Sequence, residues 1–462
     1  MPIEEIIKQL QKSDIKISVD KEKLCIDAPK GKLTPELVTQ LKDNKSELIN
    51  YLTVNGSNRV ITLDCLKAEA QLDKHIQPAT KIDSNLIVNN ILLTGATGFI
   101  GAFLLAELLQ QTSVKIYCLT RTSTPEKALH KIEQSLKNYQ LKQYINASRV
   151  IALSGDLSQP KLKLDPKTYE QLAAKIDVIY HNGALVHHAT PYDKLKATNV
   201  LGTQEILRFA CYKRTKPVHF ISTISVFNLN KTSTVNSIKE ADSIEQYQAP
   251  LGGYSQSKWV AEKLVTIAKE RGLPTTIHRL GPISGSSNTG AFNSNDFLYR
   301  LLMGYVQLGS APEGAMLLDI LPVDYVSKAI AYITQNPNNW HQAYHYIHPQ
   351  PVSSDILFDR LQAAGYGISR IPYREWYTGL VDIAKNSQDH ILYPLVSLFS
   401  ANNSGEAQNK SFNLKFDCQN TLKGLEASSI RCPAIDEKLI DTYINHLEKS
   451  GLLSKSDRTN GR

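Results

Sequence analysis

No apolar run in this sequence approaches the ~20 residues that a helix needs to cross a bilayer. The opening MPIEEIIKQLQKSD also lacks the basic start and apolar stretch of a signal peptide, so a cytoplasmic chain is expected. Cysteine is sparse. Cys25, Cys65, Cys118, Cys211, Cys418 and Cys432 are scattered with no C-x-x-C pair or Cys/His cluster, which argues against a structural metal or a disulfide framework. Charge of one sign is scarce as well: a net +8 over 462 residues, with lysines interleaved among acids, reads as a solvated surface and not as a nucleic-acid footprint. What remains is 42% hydrophobic and 21% charged, an ordinary globular balance at a length that predicts two to three domains.

Residues 1–55 read as a small α/β unit. IEEIIKQLQKS has a helical period with Ile3, Ile6, Ile7 and Leu10 on one face. IKISVDKEKLCID alternates around a polar turn, which predicts a hairpin with Ile15, Ile17 and Val19 opposite Leu24 and Ile26. A further helix then opens with Thr34 as N-cap and Pro35 at its first position. The segment IKISVDKEKLCIDAPKGKLTPEL resembles the TubC-type N-terminal docking domain of nonribosomal peptide and polyketide assembly lines. That resemblance implies an exposed hairpin edge, flanked by Lys21, Lys23, Lys30 and Lys32, that captures a tail of a partner protein by strand addition. The alternative is a helix–hairpin–helix appendage that only stabilises the main domain. Residues 56–88 form a linker and lead-in, with turn chemistry in TVNGSNRVI.

From residue 89 to 284 the pattern is α/β. Strand-like runs at NILLT, VKIYCLT, RVIALSGD, VIYHNGA, VHFISTIS and TTIHRLGPI alternate with amphipathic helical segments, predicting a doubly wound parallel sheet of Rossmann type. Residues 285–456 are expected to form a mainly helical substrate lobe interleaved with that domain, and residues 457–462 a frayed tail.

ILLTGATGFIGAFLLAELL places Gly95, Gly98 and Gly101 directly after a strand and at the opening of a helix. There the glycines permit a tight turn and close approach to a pyrophosphate, which the helix N-terminus attracts. One absence then chooses the dinucleotide. The second strand ends in Thr120–Arg121 without the acid that would bind a ribose 2′-hydroxyl, and an arginine suits a 2′-phosphate, so NADPH is expected. Lys131 is placed as a second charge, a solvated helix lysine being the alternative. Asp156, followed by Leu157, is a candidate for the adenine amine or a turn-capping aspartate. Gly183, Ala184 and Leu185 follow the fourth strand where the nicotinamide ribose would lie. His181, His187 and His188 lack a carboxylate at ligating spacing, so no metal is expected.

Tyr254 and Lys258 share a helix face at i and i+4, but so do Tyr192/Lys196 and Tyr212/Lys216. Context selects the first pair, which follows a strand ending in Ser222, Thr223 and Ser225. Hydride delivered to a carbonyl leaves an alkoxide. Thr223 is read as the donor to that oxygen and Tyr254 as the proton donor. Lys258 is expected to lower the phenol's ordinary pKa of about 10 and to orient the cofactor ribose.

TGATGFIG, CLTR, GDL, YHNGA, STISV and YSQSKWVAEKLV together resemble the extended short-chain dehydrogenase/reductase superfamily. With TGAFNSNDFLYRLLMGYVQLGSAP, LDILPVDYVSKAI and FDCQNTLKGLEASSIRCPAIDEKL, the sequence resembles the thioester reductase domain that ends such assembly lines. The resemblance implies NADPH-dependent release of an acyl or peptidyl chain from a carrier protein's phosphopantetheine arm as an aldehyde, which some relatives reduce again to an alcohol. It assigns cofactor contacts to Thr94, Gly95, Ala96, Thr97, Gly98, Phe99, Ile100 and Gly101. It assigns them also to Arg121, Asp156, Leu157, Gly183, Ala184, Leu185 and Asn199, and to Gly281, Pro282, Ile283 and Ser284. HRLGPISG departs from the Pro-Gly-Arg-like sequence of relatives at that last stretch. No adenylation or carrier segment precedes the reductase, so the substrate is expected to come from another protein. A fatty-acyl thioester reductase and a sugar-nucleotide epimerase or dehydratase are the alternatives, and Arg121 argues against the NAD of the latter.

Overall fold

A computed structural model describes residues 61–82, 86–144, 148–187, 190–229, 237–314, 316–385 and 415–453, and much of 6–52. The C-terminal tail and the polar linker 53–60 lie outside the described residues.

In the N-terminal unit, β1 (Lys16–Asp20) and β2 (Lys23–Asp27) pair antiparallel with Ile17 opposite Ile26 and Val19 opposite Leu24. The expected register is present, but Ile26 is 40% exposed while Ile17 is buried, so only one strand's apolar residue at that pair is covered. Helix α1 (Pro35–Asp43) starts where capping chemistry puts it: the Thr34 hydroxyl accepts from the Leu37 N–H at 3.3 Å, with proline in the first turn. Its core of Ile6, Ile7, Leu10, Ile15, Ile17, Leu37, Leu41, Leu48 and Leu52 draws on this unit alone.

After α2 (Leu63–Glu69) the chain enters the main sheet. Its strands are β3 (Asn90–Thr94), β4 (Lys115–Thr120), β5 (Val150–Ser154), β6 (Val178–His181), β7 (Val218–Thr223), β8 (Thr275–Leu280) and β13 (Ala343–Tyr346). The spatial order is β13-β8-β7-β6-β3-β4-β5, with every neighbouring pair parallel. Alternate residues feed the two faces. Leu92, Leu119, Ile179 and Phe220 enter one core, while Ile91, Leu93, Cys118, Tyr180 and Ile221 enter the other, so β3, β4 and β6 are mostly apolar, as burial on both sides requires, whereas β7, β8 and β13 also carry buried polar side chains. Helices cover both faces: α3 (Phe99–Gln111), α4 (Pro125–Asn138), α5 (Pro166–Lys175), α6 (Tyr192–Lys196), α7 (Gly202–Cys211) and α8 (Gly253–Glu270). A π-helical turn, Ala197–Leu201, joins α6 to α7. Strand order reverses between β3 and β6, the position at which open α/β sheets bind ligands beyond their strand C-termini.

Past residue 285 the chain is not simply a helical lobe. Short β9 (Ile283–Ser284) pairs with β12 (Leu321–Pro322), β10 (Ser310–Pro312) with β15 (Ser369–Ile371), and β11 (Leu317–Leu318) with β14 (Val352–Ser353). Helix α9 (Phe297–Leu308) precedes β10, and α10 (Val323–Thr334) returns to pack on α3 before β13 adds the seventh strand. A separate core gathers α9, α11 (Asp355–Ala363), α12 (Tyr373–Lys385) and α14 (Glu437–Lys449) around Tyr305, Trp376 and Tyr443. Helix α13 (Gln419–Leu425) packs against β13.

Candidate active site

Parallel register brings the sequence-predicted segments to one edge of the sheet. Thr94 lies level with Leu119 on one side and with His181 on the other, Thr120 is level with Ser154, and Thr223 with Leu280. The turns leaving these strands therefore place Gly95, Arg121, Asp156, Gly183, Thr223 and Gly281 along the same C-terminal rim.

The glycine-rich turn has the shape a pyrophosphate requires. Gly95 has φ +72°, and a Cβ there would sit 2.8 Å from the Gly183 backbone. A Cβ on Gly101 would lie 1.9 Å from the Gly95 carbonyl oxygen, so the start of α3 approaches the turn as only glycine allows. Gly98 is the N-cap of α3 without a side-chain cap, which leaves the first-turn N–H groups facing the cradle. These features fit a dinucleotide phosphate.

Several predicted contacts are engaged by the protein itself. Thr94 is fully buried; its hydroxyl accepts from the Gly183 N–H at 2.9 Å and meets His181 Nδ1 at 2.9 Å. His181 Nε2 in turn meets Thr203 Oγ1 at 3.0 Å, and that hydroxyl donates to the Asn199 carbonyl at 2.7 Å. Burial and the nearby Lys258 charge hold this imidazole down to about 3, so it is a neutral connector and its ring nitrogens are occupied. His187 Nδ1 pairs with Thr190, and His188 lies outside the described residues.

Asn199 is engaged within the protein in the same way. Its Oδ1 accepts from Leu185 N–H at 2.7 Å, and Nδ2 donates to the Leu185 carbonyl at 3.0 Å and to Ser257 Oγ at 2.9 Å. It positions the loop after β6 against α8. Ser284 is fully buried with its hydroxyl on Tyr443 at 2.8 Å, so its side chain ties β9 to α14. Asp156 accepts from both the Ser158 N–H and Oγ, the turn-capping alternative. The Leu157 side chain packs where a Cβ on Gly183 would fall. Arg121 and Lys131 are exposed and make no hydrogen bond or ion pair to the described residues.

At the end of β7, Thr223 is half-buried, and its hydroxyl lies 3.0 Å from Ser225 Oγ and accepts the Ser225 N–H at 3.2 Å. Ser255 donates to the same Ser225 hydroxyl at 3.1 Å, a link that residue spacing does not reveal. Tyr254 and Lys258 sit in the first turns of α8. Ser257 Oγ donates to the Tyr254 carbonyl at 2.7 Å, and Lys258 Nζ donates to the Ile221 carbonyl at 2.6 Å with the Phe220 ring 3.9 Å from the ammonium.

The expected lowering of the phenol pKa is absent. Burial pushes Tyr254 up to about 12 and brings the Lys258 amine down to about 7, because both ionised forms lose water while the ammonium is turned to the Ile221 carbonyl.

The two other Tyr/Lys pairs are structural. Lys196 is ion-paired with Glu69 at 2.5 Å, and the Tyr192 hydroxyl reaches the same carboxylate at 3.4 Å. Buried Lys216 caps the end of α7 by donating to the carbonyls of Phe209, Tyr212 and Arg214.

Sheet order, glycine cradle and the Thr/Tyr/Lys set define a dinucleotide-binding oxidoreductase of the extended short-chain type. Residues 93–330 match the family described as "Male sterility protein", whose domain binds NAD, and residues 3–53 match the TubC N-terminal docking domain. The chain is 38% identical over 370 residues to a component of the linear gramicidin synthase of Brevibacillus parabrevis, covering 80% of this chain and 7% of that protein. It is 33% identical over 395 residues to the isonitrile lipopeptide synthase of Streptomyces coeruleorubidus, covering 84% of this chain and 26% of the relative. The chain thus spans only a small part of these curated relatives. The terminal R domain of the myxalamid PKS-NRPS pathway superposes with TM-score 0.76 at 40% identity, covering 85% of this chain and 99% of that one. This chain belongs to the family of thioester reductase (R) domains of nonribosomal peptide synthetases, with a TubC-type docking domain at its N-terminal end.

Proposed function

We propose that the protein uses NADPH to release an acyl or peptidyl chain, as an aldehyde, from the phosphopantetheine thioester of a carrier protein. The observation that supports this reading is that Thr223, at the end of β7 with the Tyr254/Lys258 helix tied to that strand, lies on the same C-terminal rim of the sheet as the Gly95 turn, in a chain of the R-domain family. Gly95–Gly98 and the first turn of α3 would hold the phosphates of NADPH, which would supply the hydride. Exposed Arg121, with no acid at the end of β4, favours a 2′-phosphate; Lys131 is proposed to add a second charge.

Hydride addition to the thioester carbon creates an oxyanion. If the Ser255 hydroxyl donates to Ser225 and Ser225 donates to Thr223, the Thr223 lone pairs are filled and its hydrogen is turned outward, to that oxyanion. Collapse reforms the carbonyl, breaks the C–S bond and expels the pantetheine thiolate, which takes up one proton. Tyr254 is proposed to share its proton with the oxyanion and to recover it as the carbonyl reforms, the Lys258 ammonium compensating the charge that develops on the phenol, while the weakly basic thiolate takes its proton from solvent.

The docking unit is proposed to recruit the carrier protein's polypeptide through its hairpin. The experiment is direct: purified protein with NADPH and a carrier-bound acyl thioester whose protein ends in a docking tail, with NADH as control. Aldehyde or alcohol formation is expected with NADPH; none above background with competent partners overturns the reading.

A further inference from the structure

One turn beyond Lys258 on α8 lies Glu262, a carboxylate only 1% exposed. Its Oε2 accepts from Ser222 Oγ at 2.5 Å, and its Oε1 accepts from Arg279 Nε at 3.0 Å and Nη2 at 2.8 Å. Arg279, on β8, is itself buried. Its Nη1 donates to the Glu240 carbonyl and meets His345 Nε2, each at 3.1 Å, and the guanidinium lies 4.7 Å from the centre of the Phe227 ring.

A buried ion pair is a poor way to hold a helix on a sheet, because apolar residues of similar volume do so at least as well. The position of this pair suggests another role. Ser222 immediately precedes Thr223, and Glu262 stands at i+4 from Lys258 and i+8 from Tyr254, on the same helix face. We propose that Glu262 is a positioning residue for this set: through Ser222 it fixes the strand end that carries Thr223, and it supplies a buried counter-charge to the Lys258 ammonium. The inference rests on the reading of Thr223, Tyr254 and Lys258 as the reacting residues.

The surroundings of Lys258 support it. Tyr254 and Glu262 face the lysine from its own helix, and β6 contributes His181, which burial keeps neutral. From β7 the amine meets the Ile221 carbonyl and the Phe220 ring. Burial pulls the amine down, and the Glu262 carboxylate opposes that pull. Arg279 in turn fixes the Glu262 side chain through two hydrogen bonds, and a further donor ties the pair to the loop at Glu240. The Glu240 side chain accepts from Asn420 N–H, Thr421 N–H and Thr421 Oγ1, so the anchor extends to α13.

The test uses the full chain with lysine Cε labelled by ¹³C, the Lys258 signal being assigned by its loss in Lys258→Arg. Glu262→Gln alone would strand the Arg279 guanidinium, so Glu262→Gln is combined with Arg279→Met. The Lys258 amine is expected to titrate at least about half a pH unit lower in this pair. The alkaline limb of kcat/KM should move down by the same amount, with activity near pH 6 within about threefold of the parent. An unchanged Lys258 titration, or a loss equal at every pH, overturns the proposal. If the pair does not fold, Ser222→Ala leaves the ion pair in place and reads the strand tie alone. Its kcat should fall about tenfold with KM for NADPH within about twofold, and a parental kcat overturns the positioning role. Tyr254→Phe separates the two readings: full turnover in that variant removes the catalytic assignment, while the NMR titration still decides whether Glu262 acts on Lys258.

Discussion

Lys258 Nζ donates to the Ile221 carbonyl across 2.6 Å, which pins the helix carrying Tyr254 to the strand carrying Thr223. The contact distinguishes this Tyr/Lys pair from the two others with equal spacing. Its lysine reaches over the end of β7 from the C-terminal rim, whereas Lys196 and Lys216 are turned to a surface carboxylate and a helix end.

Removing the Tyr254 hydroxyl tests the proton step. Tyr254→Phe keeps the ring and loses the donor, so turnover of a carrier-bound thioester should fall by about 10²–10⁴-fold. NADPH affinity, measured by quenching of protein fluorescence, should stay within about threefold, since the proposed phosphate site is the Gly95 turn and not the phenol. Turnover at the parental rate would remove Tyr254 from the mechanism.

Arg121 is assigned to the cofactor's 2′-phosphate. Arg121→Ser should raise the KM for NADPH about 10–100-fold, the loss of one or two charge-assisted hydrogen bonds, and leave that for NADH nearly unchanged. An equal change for both nucleotides would mean that the arginine contacts neither phosphate selectively.

The N-terminal unit buries its own core, so removing residues 1–55 should not open the reductase. Reduction of a small soluble thioester by the truncated protein should match that of the full chain. Reduction of the tethered substrate at micromolar carrier protein should fall about tenfold or more as effective concentration is lost. Equal losses on both substrates would assign the unit a structural role.

The parts of this molecule legible in the sequence are those set by local rules. Thr34 and Pro35 announce a helix start, the Gly95 turn follows a strand and opens a helix, and STISV precedes YSQSK by one loop. The seventh strand is hard to read because AYHY is four residues long and its His345 looks solvated. In the fold that histidine is fully buried between Arg279 and the Asp417 carbonyl. Thr94, Asn199 and Ser284 fall where cofactor contacts belong, yet their side chains bind His181, Ser257 and Tyr443, each distant in sequence. Glu262 and Arg279 read as ordinary charges in a helix and a strand. Only the closure of α8 on β8 makes them a pair.

The same burial of polar groups sets an acid limit on stability. His181, His278 and His345 are buried, and loss of water brings each down to about 3, while His219 is carried well below its ordinary value. In the unfolded chain all four would titrate near 6.5. Between about pH 6.5 and 3 the unfolded state therefore binds protons that the folded state refuses, so stability is highest above that window and falls as pH drops through it. The slope approaches about 1.4 kcal/mol per pH unit for each histidine. His219 is the sharpest probe, since neither ring nitrogen has a hydrogen-bond partner among the described residues and its ring packs on Tyr180 and Trp340. His219→Phe keeps an aromatic ring there and removes the titration. Urea unfolding between pH 4.5 and 7.5 should show a pH dependence shallower by up to about 1.4 kcal/mol per unit in the variant, with the difference vanishing above pH 7. Parallel curves would show that His219 does not set the acid limit.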